Sequence, residues 1–232
     1  MIRVATYNIL HASLKGLEAI ADVFRGIDPD LVALQEVDRG VPRSGSVDQP
    51  AWLGDRLGLH HAFATAVPWE GGEYGLAILS RFPILGTRAV HLPSRAILAL
   101  ADGAEPRVLL SATVDAPGGP LTFGSTHLGL HPTERILQAE AIAAQLTRRQ
   151  RTLLCGDLNE GHTEPAYLRL TGAGLVDCLG ECGALPLRTY PSHAPTIGID
   201  HVLRSADLPV PSRARAVETN ASDHLPVVVD LG

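Results

Sequence analysis

Short apolar segments recur along the chain, and each is bounded by glycine, proline, asparagine, aspartate or serine. Segments of this kind are typical of β-strands, because apolar and β-branched residues suit a pleated surface and the bounding residues suit turns. The predicted strands are residues 2–8, 30–35, 61–66, 75–80, 84–91, 107–115, 120–127, 152–156, 199–203, 213–218 and 226–231.

Two longer segments repeat apolar residues at helical spacing. The first, 14–27, has one apolar face formed by Leu17, Ile20, Ala21, Phe24 and Ile27. The second, 132–149, begins with a proline in its first turn and repeats Ile136, Ala139, Ala143 and Leu146. Shorter helices are predicted at 50–58 and 164–172.

The strands do not alternate regularly with the helices. Two sheets packed face to face, with the helices on the outside, bury this pattern better than a βα repeat does. No internal repeat, low-complexity tract or long linker interrupts the 232 residues. We therefore predict an α/β (α+β) fold built on a β-sandwich, in one domain that spans residues 1–232.

The net charge and the amino-acid composition limit the kinds of molecule and the cellular location that the sequence predicts for this protein. The formal net charge is −6 and Lys15 is the single lysine, so the chain offers no broad attraction for nucleic acid. No apolar run is long enough for a membrane helix, and the opening MIRVATYNIL is typical of a strand rather than a signal peptide. Three cysteines without metal-type spacing favour a reducing, cytoplasmic location.

Polar residues lie at or near the boundaries of six predicted strands. Asp or Asn at one such boundary would indicate only a turn. Here six separate strands have a polar residue at a boundary, and three of these residues interrupt apolar segments. We therefore predict that these side chains converge on a common site. These residues are Asn8, Gln35, Glu36, His127, Asp157, Asn159, Asp200, Asp223 and His224.

The residue types in this set suit phosphoryl transfer. Glu36 and Asp223 are hard oxygen ligands, which favour Mg²⁺ or Mn²⁺, and no cysteine takes part. A metal offsets the charge of the phosphate, an imidazole donates to a developing oxyanion, and a carboxylate orients the attacking water. An Asp–His pair fixes the tautomer and the charge of the working imidazole.

The motifs TYNIL, LQEV, YGLAILSRFPI, STHL, CGDLN, TYPSHAP…GIDHVL and SDHLPV occur in this order between residues 6 and 228. This ordered set resembles the endonuclease/exonuclease/phosphatase superfamily, which includes DNase I-like nucleases, abasic-site endonucleases, inositol-polyphosphate 5-phosphatases and bacterial sphingomyelinases. The resemblance implies a four-layer αββα sandwich, in which two mixed β-sheets pack face to face with helices outside.

The resemblance also implies roles for the polar residues. Asn8 and Glu36 would hold the metal and its water, with Glu36 as the principal ligand, and Asp223 would complete the metal region. Asp157 would orient or deprotonate the attacking water. Asn159 would donate to the phosphate.

The two histidines would act on the phosphate. His224 would contact the scissile phosphate with Asp200 as its partner, and His127 matches a phosphate-side histidine that typically has an acidic partner, for which Glu73 is the candidate. Arg107 and Tyr74 would lie on the substrate side. The sequence departs from the family pattern at Leu76, where a small polar residue is common, and at Gly198, where arginine is frequent.

Several of these residues also have an ordinary structural explanation. Asn8 can end a strand, Asp157 with Asn159 can form a turn, and His127 can be a buried core histidine. Arg107 fits a surface salt bridge as well as a phosphate contact. Trp69 fits either core packing, which we favour, or an aromatic lip beside the site.

The sequence therefore predicts a metal-dependent phosphoesterase that hydrolyses a P–O bond by in-line attack of water. The favoured substrate is a small or lipid-derived phosphodiester or phosphomonoester, and the favoured state is a monomer. A DNA or RNA nuclease is the alternative. The net negative charge and the single lysine argue against it, because proteins that follow a nucleic-acid backbone usually have basic grooves. A catalytically inactive binding module of the same fold is the third reading.

Overall fold

The computed structural model describes residues 1–94, 105–146 and 149–232. In these residues twelve strands form two six-stranded sheets. The strands are β1 (Ile2–Asn8), β2 (Leu31–Arg39), β3 (His60–Trp69), β4 (Gly72–Ser80), β5 (Ile84–His91), β6 (Val108–Ala116), β7 (Gly119–His127), β8 (Thr152–Asp157), β9 (Leu175–Asp177), β10 (Asp200–Ser205), β11 (Pro211–Ala216) and β12 (Val227–Leu231).

The two sheets have related topologies. The first, sheet A, has the order β11-β12-β1-β2-β4-β3, and the second, sheet B, has the order β5-β6-β7-β8-β10-β9. Both are mixed, because β1 runs parallel to β2 and β7 runs parallel to β8 while the other pairs are antiparallel. The carboxyl ends of these two central parallel pairs carry the polar residues described below.

The helices cover the outer faces of the sheets. They are α1 (Gly16–Ile27), α2 (Gln49–Leu57), α3 (Pro132–Leu146) and α4 (Pro165–Gly172). The short α5 (Cys178–Glu181) instead places Cys178 and Leu179 in the apolar cluster between the sheets. α1 packs on the outside of sheet A, α3 and α4 pack on the outside of sheet B, and a third apolar cluster fills the space between the sheets. The predicted four-layer αββα sandwich is confirmed.

The helix patterns explain most of this packing. Ile20, Ala21, Phe24 and Ile27 of α1 are buried, as its apolar spacing predicts. On α3 the buried face includes Ala139 and Leu146, but the predicted Ile136 and Ala143 are only half-buried. The predicted helix 132–149 extends over two residues outside the described chain, 147 and 148. Among the described residues no helix is long and apolar enough to cross a membrane.

Strand β9 and helix α5 are absent from the sequence prediction. β9 has only three residues and pairs only with β10, at the edge of sheet B. Asp177 ends this strand and caps α5, since its carboxylate accepts from the backbone N–H groups of Leu179 and Gly180. A three-residue strand is too short to show the alternation of apolar and polar residues that identifies a strand, so the sequence pattern did not predict β9.

Candidate active site

Strand alternation places a row of polar side chains at one end of sheet B. On β8, Leu153 and Cys155 belong to the core between the sheets, and Asp157 continues the same alternation. His127 ends β7 and Asp200 begins β10, and the strand register sets them directly beside Asp157 on its two neighbours. The three side chains therefore meet where the apolar core ends.

Asn8 joins this row from the opposite sheet. It ends β1 and is 1% exposed, and its Nδ2 donates to Asp157 Oδ2 at 3.1 Å. Its Oδ1 accepts from the backbone N–H of Leu10 at 3.1 Å. Asn8 therefore turns its amide nitrogen, rather than its oxygen, toward the carboxylates, and it links the two sheets across the site.

Glu36 reaches the site through a β-bulge. Strict alternation on β2 would point Glu36 away from the inter-sheet core, but the pairing with β4 shifts between Leu34 and Val37, and Glu36 has a φ of 56°. A bulge re-aims a side chain, and a positive φ outside glycine is an uncommon conformation that clusters at functional sites. As a result Glu36 Oε1 accepts from Asn8 Nδ2 at 3.0 Å.

One carboxylate oxygen is the centre of the arrangement. Asp157 Oδ2 lies 3.1 Å from Asn8 Nδ2, 3.5 Å from His127 Nε2 and 3.6 Å from His224 Nε2. Burial raises the pKa of Asp157 to about 7, and the charge of Asp200 adds to the rise while His224 opposes it. A carboxylate whose pKa lies near neutrality is suited to accept a proton from water.

His224 is held in a chain of three residues. Its Nδ1 lies 3.0 Å from Asp200 Oδ2, and the same oxygen accepts from Thr189 Oγ1 at 2.6 Å. Burial lowers the pKa of His224, but the charge and hydrogen bond of Asp200, together with Asp157, outweigh it and raise the pKa to about 10. His224 therefore turns a protonated Nε2 toward Asp157. Sequence reasoning missed Thr189, although it lies within the motif TYPSHAP.

The loop after β8 is fixed by buried polar contacts. Asn159 has a φ of 52°, its backbone N–H donates to Asp157 Oδ1 at 2.9 Å, and its Nδ2 donates to the carbonyl of Leu128 at 2.9 Å. The next residue, Glu160, accepts from Arg135 Nε at 2.7 Å inside the protein. Sequence reasoning missed Glu160 and Arg135, and the available signal was a charged residue on the inward side of α3.

Glu36 has the environment of a cation ligand. Burial raises the pKa of its carboxyl, and the charges of Asp223 and Glu105 contribute to the rise, whereas Asn8 and Arg107 oppose it. Within the described part of the chain Asn8 is the one hydrogen-bond donor to this carboxylate. A buried carboxylate with one hydrogen-bond donor keeps oxygen lone pairs for a hard divalent ion, and the charge of Asp223 acts on the same carboxylate.

A second group of residues also has metal-type geometry. One ligand atom from each of Asp157, Asp200 and His224 lies within 4.8 Å of the others. A histidine must be neutral to bind a metal, whereas the two carboxylates hold His224 in its protonated form. Metal binding at this trio would require His224 to lose that proton, so the trio and the pair of Glu36 with Asp223 are two alternative positions for a metal.

The predicted acidic partner of His127 is wrong. Glu73 pairs with Arg39, whose Nε donates at 2.7 Å, and it also accepts from Thr65. His127 Nδ1 instead lies 3.1 Å from Nη1 of Arg107, and both side chains are buried. Arg107 also pairs with Glu105 at 3.0 Å, so it is a buried cation beside the site rather than a surface salt bridge.

Tyr74 and Trp69 lie on the sheet A side of the site. Tyr74 is buried, and burial together with the charge of Glu36 raises its pKa. Arg43 lies over both rings, with its Cζ 5.2 Å from each centroid, and donates in a fork to the buried Asp38. Trp69 is 40% exposed, so it is an exposed aromatic residue stacked on Arg43 rather than a core residue.

This sandwich, with carboxylates, carboxamides and imidazoles gathered at one end, defines the DNase I-like class of phosphoesterase folds. The family model described as Endonuclease/Exonuclease/phosphatase family matches residues 5–224. The chain belongs to this family, which confirms the resemblance predicted from the motifs.

Individual relatives agree with this assignment. Protein YbhP of Escherichia coli (strain K12), described as uncharacterized, is 26% identical over 231 residues, covering 93% of this chain and 88% of that one. The crystal structure of an endonuclease/exonuclease/phosphatase from Beutenbergia cavernae is 27% identical with a TM-score of 0.79, covering all of this chain and 72% of the other. The Bacteroides thetaiotaomicron mannosyl-6-phosphatase Bt3783 is similar in fold, with a TM-score of 0.81 at 19% identity and full coverage of both chains.

Proposed function

We propose that this protein is a divalent-metal-dependent hydrolase that splits the P–O bond of a phosphate ester by in-line attack of water. The observation that carries the proposal is the meeting of Asn8, His127 and His224 nitrogens around a single buried oxygen of Asp157. A buried carboxylate among N–H groups is a proton acceptor surrounded by donors, which is the arrangement that water activation beside a phosphate needs.

Each residue has a distinct task in this proposal. Asp157 accepts the proton of the attacking water at Oδ2. His224, kept protonated by Asp200 and Thr189, donates from Nε2 to a phosphate oxygen, and the side chain of Asn159 donates to another. These groups are fixed before the substrate arrives, so little reorganisation opposes the reaction.

Glu36 and Asp223 are proposed to hold the metal, with Asn8 orienting Glu36 by its amide N–H. A bound Mg²⁺ or Mn²⁺ would offset the negative charge on the phosphate. The oxygen-only ligands favour these hard ions over zinc.

A cavity beside the site supports a small, uncharged group on the phosphate. It has a volume of about 260 Å³ and is lined by Asn159 and Asp200 together with Leu185, Leu187 and Ile197. Its described lining contains no lysine or arginine. Gly198 also lies in this wall in place of the family's frequent arginine, and a Cβ there would lie 2.0 Å from the carbonyl oxygen of Leu187. The lining also includes Glu160 and Glu164, and a wall with acidic side chains and no lysine or arginine favours a neutral substituent on the phosphate over a polyanion.

The proposal is tested with bis-p-nitrophenyl phosphate and p-nitrophenyl phosphate in the presence of Mg²⁺ or Mn²⁺. We expect hydrolysis that EDTA abolishes and that added metal restores. Ester hydrolysis that persists in EDTA would contradict the metal dependence, and binding of phosphate esters without turnover would indicate the inactive binding module.

The metal ligands can be separated from the His224 chain by substitution. We expect Glu36→Gln to weaken Mn²⁺ binding at least tenfold, because the amide keeps the volume of the side chain but lacks the charge. Asp200→Asn is the matched control and should leave Mn²⁺ affinity close to that of the wild type. Titration calorimetry of both variants measures the Mn²⁺ affinity. A large loss of affinity in Asp200→Asn and none in Glu36→Gln would assign the metal to Asp157, Asp200 and His224.

A nuclease is the second candidate, and the exposed Trp69 stacked on Arg43 is the observation that favours it. An aromatic ring beside a cation is a platform on which a nucleobase can stack. Cleavage of supercoiled plasmid, lost in Trp69→Ala while p-nitrophenyl ester hydrolysis is kept, would support the nuclease. We expect the plasmid to stay intact.

We also propose that the protein acts in the cytoplasm as a monomer. Cys155, Cys178 and Cys182 are all free thiols, which fits a reducing compartment.

A further inference from the structure

The partner of His127 is a cation, and this has a chemical consequence. Arg107 Nη1 lies 3.1 Å from His127 Nδ1, and the two residues are 5% exposed each. A guanidinium has five N–H donors and no acceptor. The Nδ1 atom can therefore make this contact only as an unprotonated acceptor.

The opposite ring nitrogen has two neighbours. His127 Nε2 lies 3.1 Å from Asn159 Nδ2 and 3.5 Å from Asp157 Oδ2. Asn159 Nδ2 already donates to the carbonyl of Leu128 at 2.9 Å, which fixes it as the amide nitrogen rather than the oxygen. Both ring nitrogens of His127 thus lie close to a donor, and a neutral imidazole can accept at only one of them.

The charged donor determines which nitrogen accepts. A hydrogen bond from a guanidinium is roughly twice as strong as a neutral one, and an Nδ1–H group would face the buried cation directly. Asn159 Nδ2 already donates to the carbonyl of Leu128. When Nε2 carries the proton, Asn159 loses only a second contact, whereas a proton on Nδ1 would break the stronger hydrogen bond from Arg107. Burial and the charge of Arg107 also lower the pKa of His127 well below its usual range, so the ring is neutral.

We propose that Arg107 is a positioning residue that fixes His127 as the neutral Nε2–H tautomer. His127 Nε2–H and the Asn159 amide N–H are then two donors whose nitrogens lie 3.1 Å apart, with Asp157 Oδ2 3.5 Å from His127 Nε2, and a phosphate oxygen is an acceptor that the two donors can share. A cation in this position gives the opposite result from the acidic partner that the family resemblance predicted, because an acid would accept from Nδ1–H and favour a charged ring.

The tautomer is measurable without turnover. Nitrogen-15 spectra of the labelled imidazoles distinguish Nδ1–H from Nε2–H, and the spectrum of His127→Gln assigns the signals of His127. We expect the wild type to show the Nε2–H form. Arg107→Gln keeps a donor for Nδ1 and should show the same form, whereas Arg107→Met removes the donor and should populate the Nδ1–H form.

Kinetics separate positioning from direct phosphate binding, and this part rests on the proposed function. We expect Arg107→Met to lower kcat by roughly 10- to 100-fold with an unchanged KM, and Arg107→Gln to recover most of the loss. Arg88→Met, at an exposed arginine of β5 in the same sheet, is the control for loss of charge and should match the wild type in both spectra and kinetics.

The outcomes that overturn the proposal are distinct from a failure of the proposed function. An Nδ1–H tautomer in the wild type, or a tautomer unchanged in Arg107→Met, would overturn it. A raised KM in both Arg107 variants with the Nε2–H form intact would assign Arg107 to the phosphate instead. If no phosphate ester is hydrolysed, the proposed function fails and the spectra still decide the tautomer. Thermal melts establish that each variant is folded, and Arg107→Leu, which also lacks a donor for Nδ1, replaces Arg107→Met if that variant does not fold.

Discussion

Asp157→Asn is expected to lower kcat by about 10²- to 10⁴-fold while the protein stays folded. The amide oxygen can still accept from the backbone N–H of Asn159, which is the contact that Asp157 Oδ1 makes at 2.9 Å. The variant therefore keeps the turn after β8 but loses the carboxylate oxygen that accepts the proton of water. Steady-state kinetics with bis-p-nitrophenyl phosphate measure the loss, and thermal unfolding measures the fold.

The stability of Asp157→Asn provides a separate check. Folding raises the pKa of Asp157 to about 7, so the ionised carboxylate opposes folding as pH rises from about 4 toward 7. Removing that charge should offset the loss of the hydrogen bond that Oδ2 accepts from Asn8, so the melting temperature at pH 8 should stay close to the wild-type value. Asp115→Asn, at an exposed position of β6, is the matched control and should change neither quantity. Unchanged turnover in Asp157→Asn would remove this residue from the mechanism.

Strand alternation made much of the site predictable. His127, Asp157 and Asp200 each extend an inward-facing row that is apolar deeper in the sandwich, and the register sets them side by side. A polar residue at the end of such a row has an unusual environment whatever its function. Three strand ends that share this property therefore predict a common site before any coordinates are known.

The bulge at Glu36 was not predictable from the pattern. A period of two gives Glu36 the outward face of β2, since an inserted residue that reverses the faces has no signature in residue type. The family resemblance identified Glu36, but the positive φ and the shift in pairing explain how it arrives beside Asn8.

Contacts between distant side chains were the least predictable part of the site. Glu73 was the candidate for the acidic partner of His127 that the family resemblance implies. The pairing of β2 with β4 instead places Glu73 opposite Arg39, which it binds. Arg107 contacts His127 and Thr189 donates to Asp200, and neither spacing nor periodicity in the sequence relates these residues to their partners.

Asp200→Ala and His224→Ala are each expected to lower kcat by roughly 10³-fold or more, and the double variant should be no slower than the slower single variant. His224 Nδ1 is held by Asp200 Oδ2 at 3.0 Å, so the ring without its partner loses both its orientation and its proton. Once either side chain of the pair is removed, removal of the other should lower kcat little further. A double-mutant cycle in kcat gives the coupling directly.

Folding has to be separated from chemistry in this cycle, because both side chains are buried. Asp200→Asn keeps the volume of the side chain and an oxygen that can accept from Thr189, so it should fold even if Asp200→Ala does not. We expect Asp200→Asn with His224→Ala to show the same coupling. Losses that multiply in the double variant would mean that Asp200 and His224 act independently, and His224 would then need another source for the proton that it donates to the phosphate.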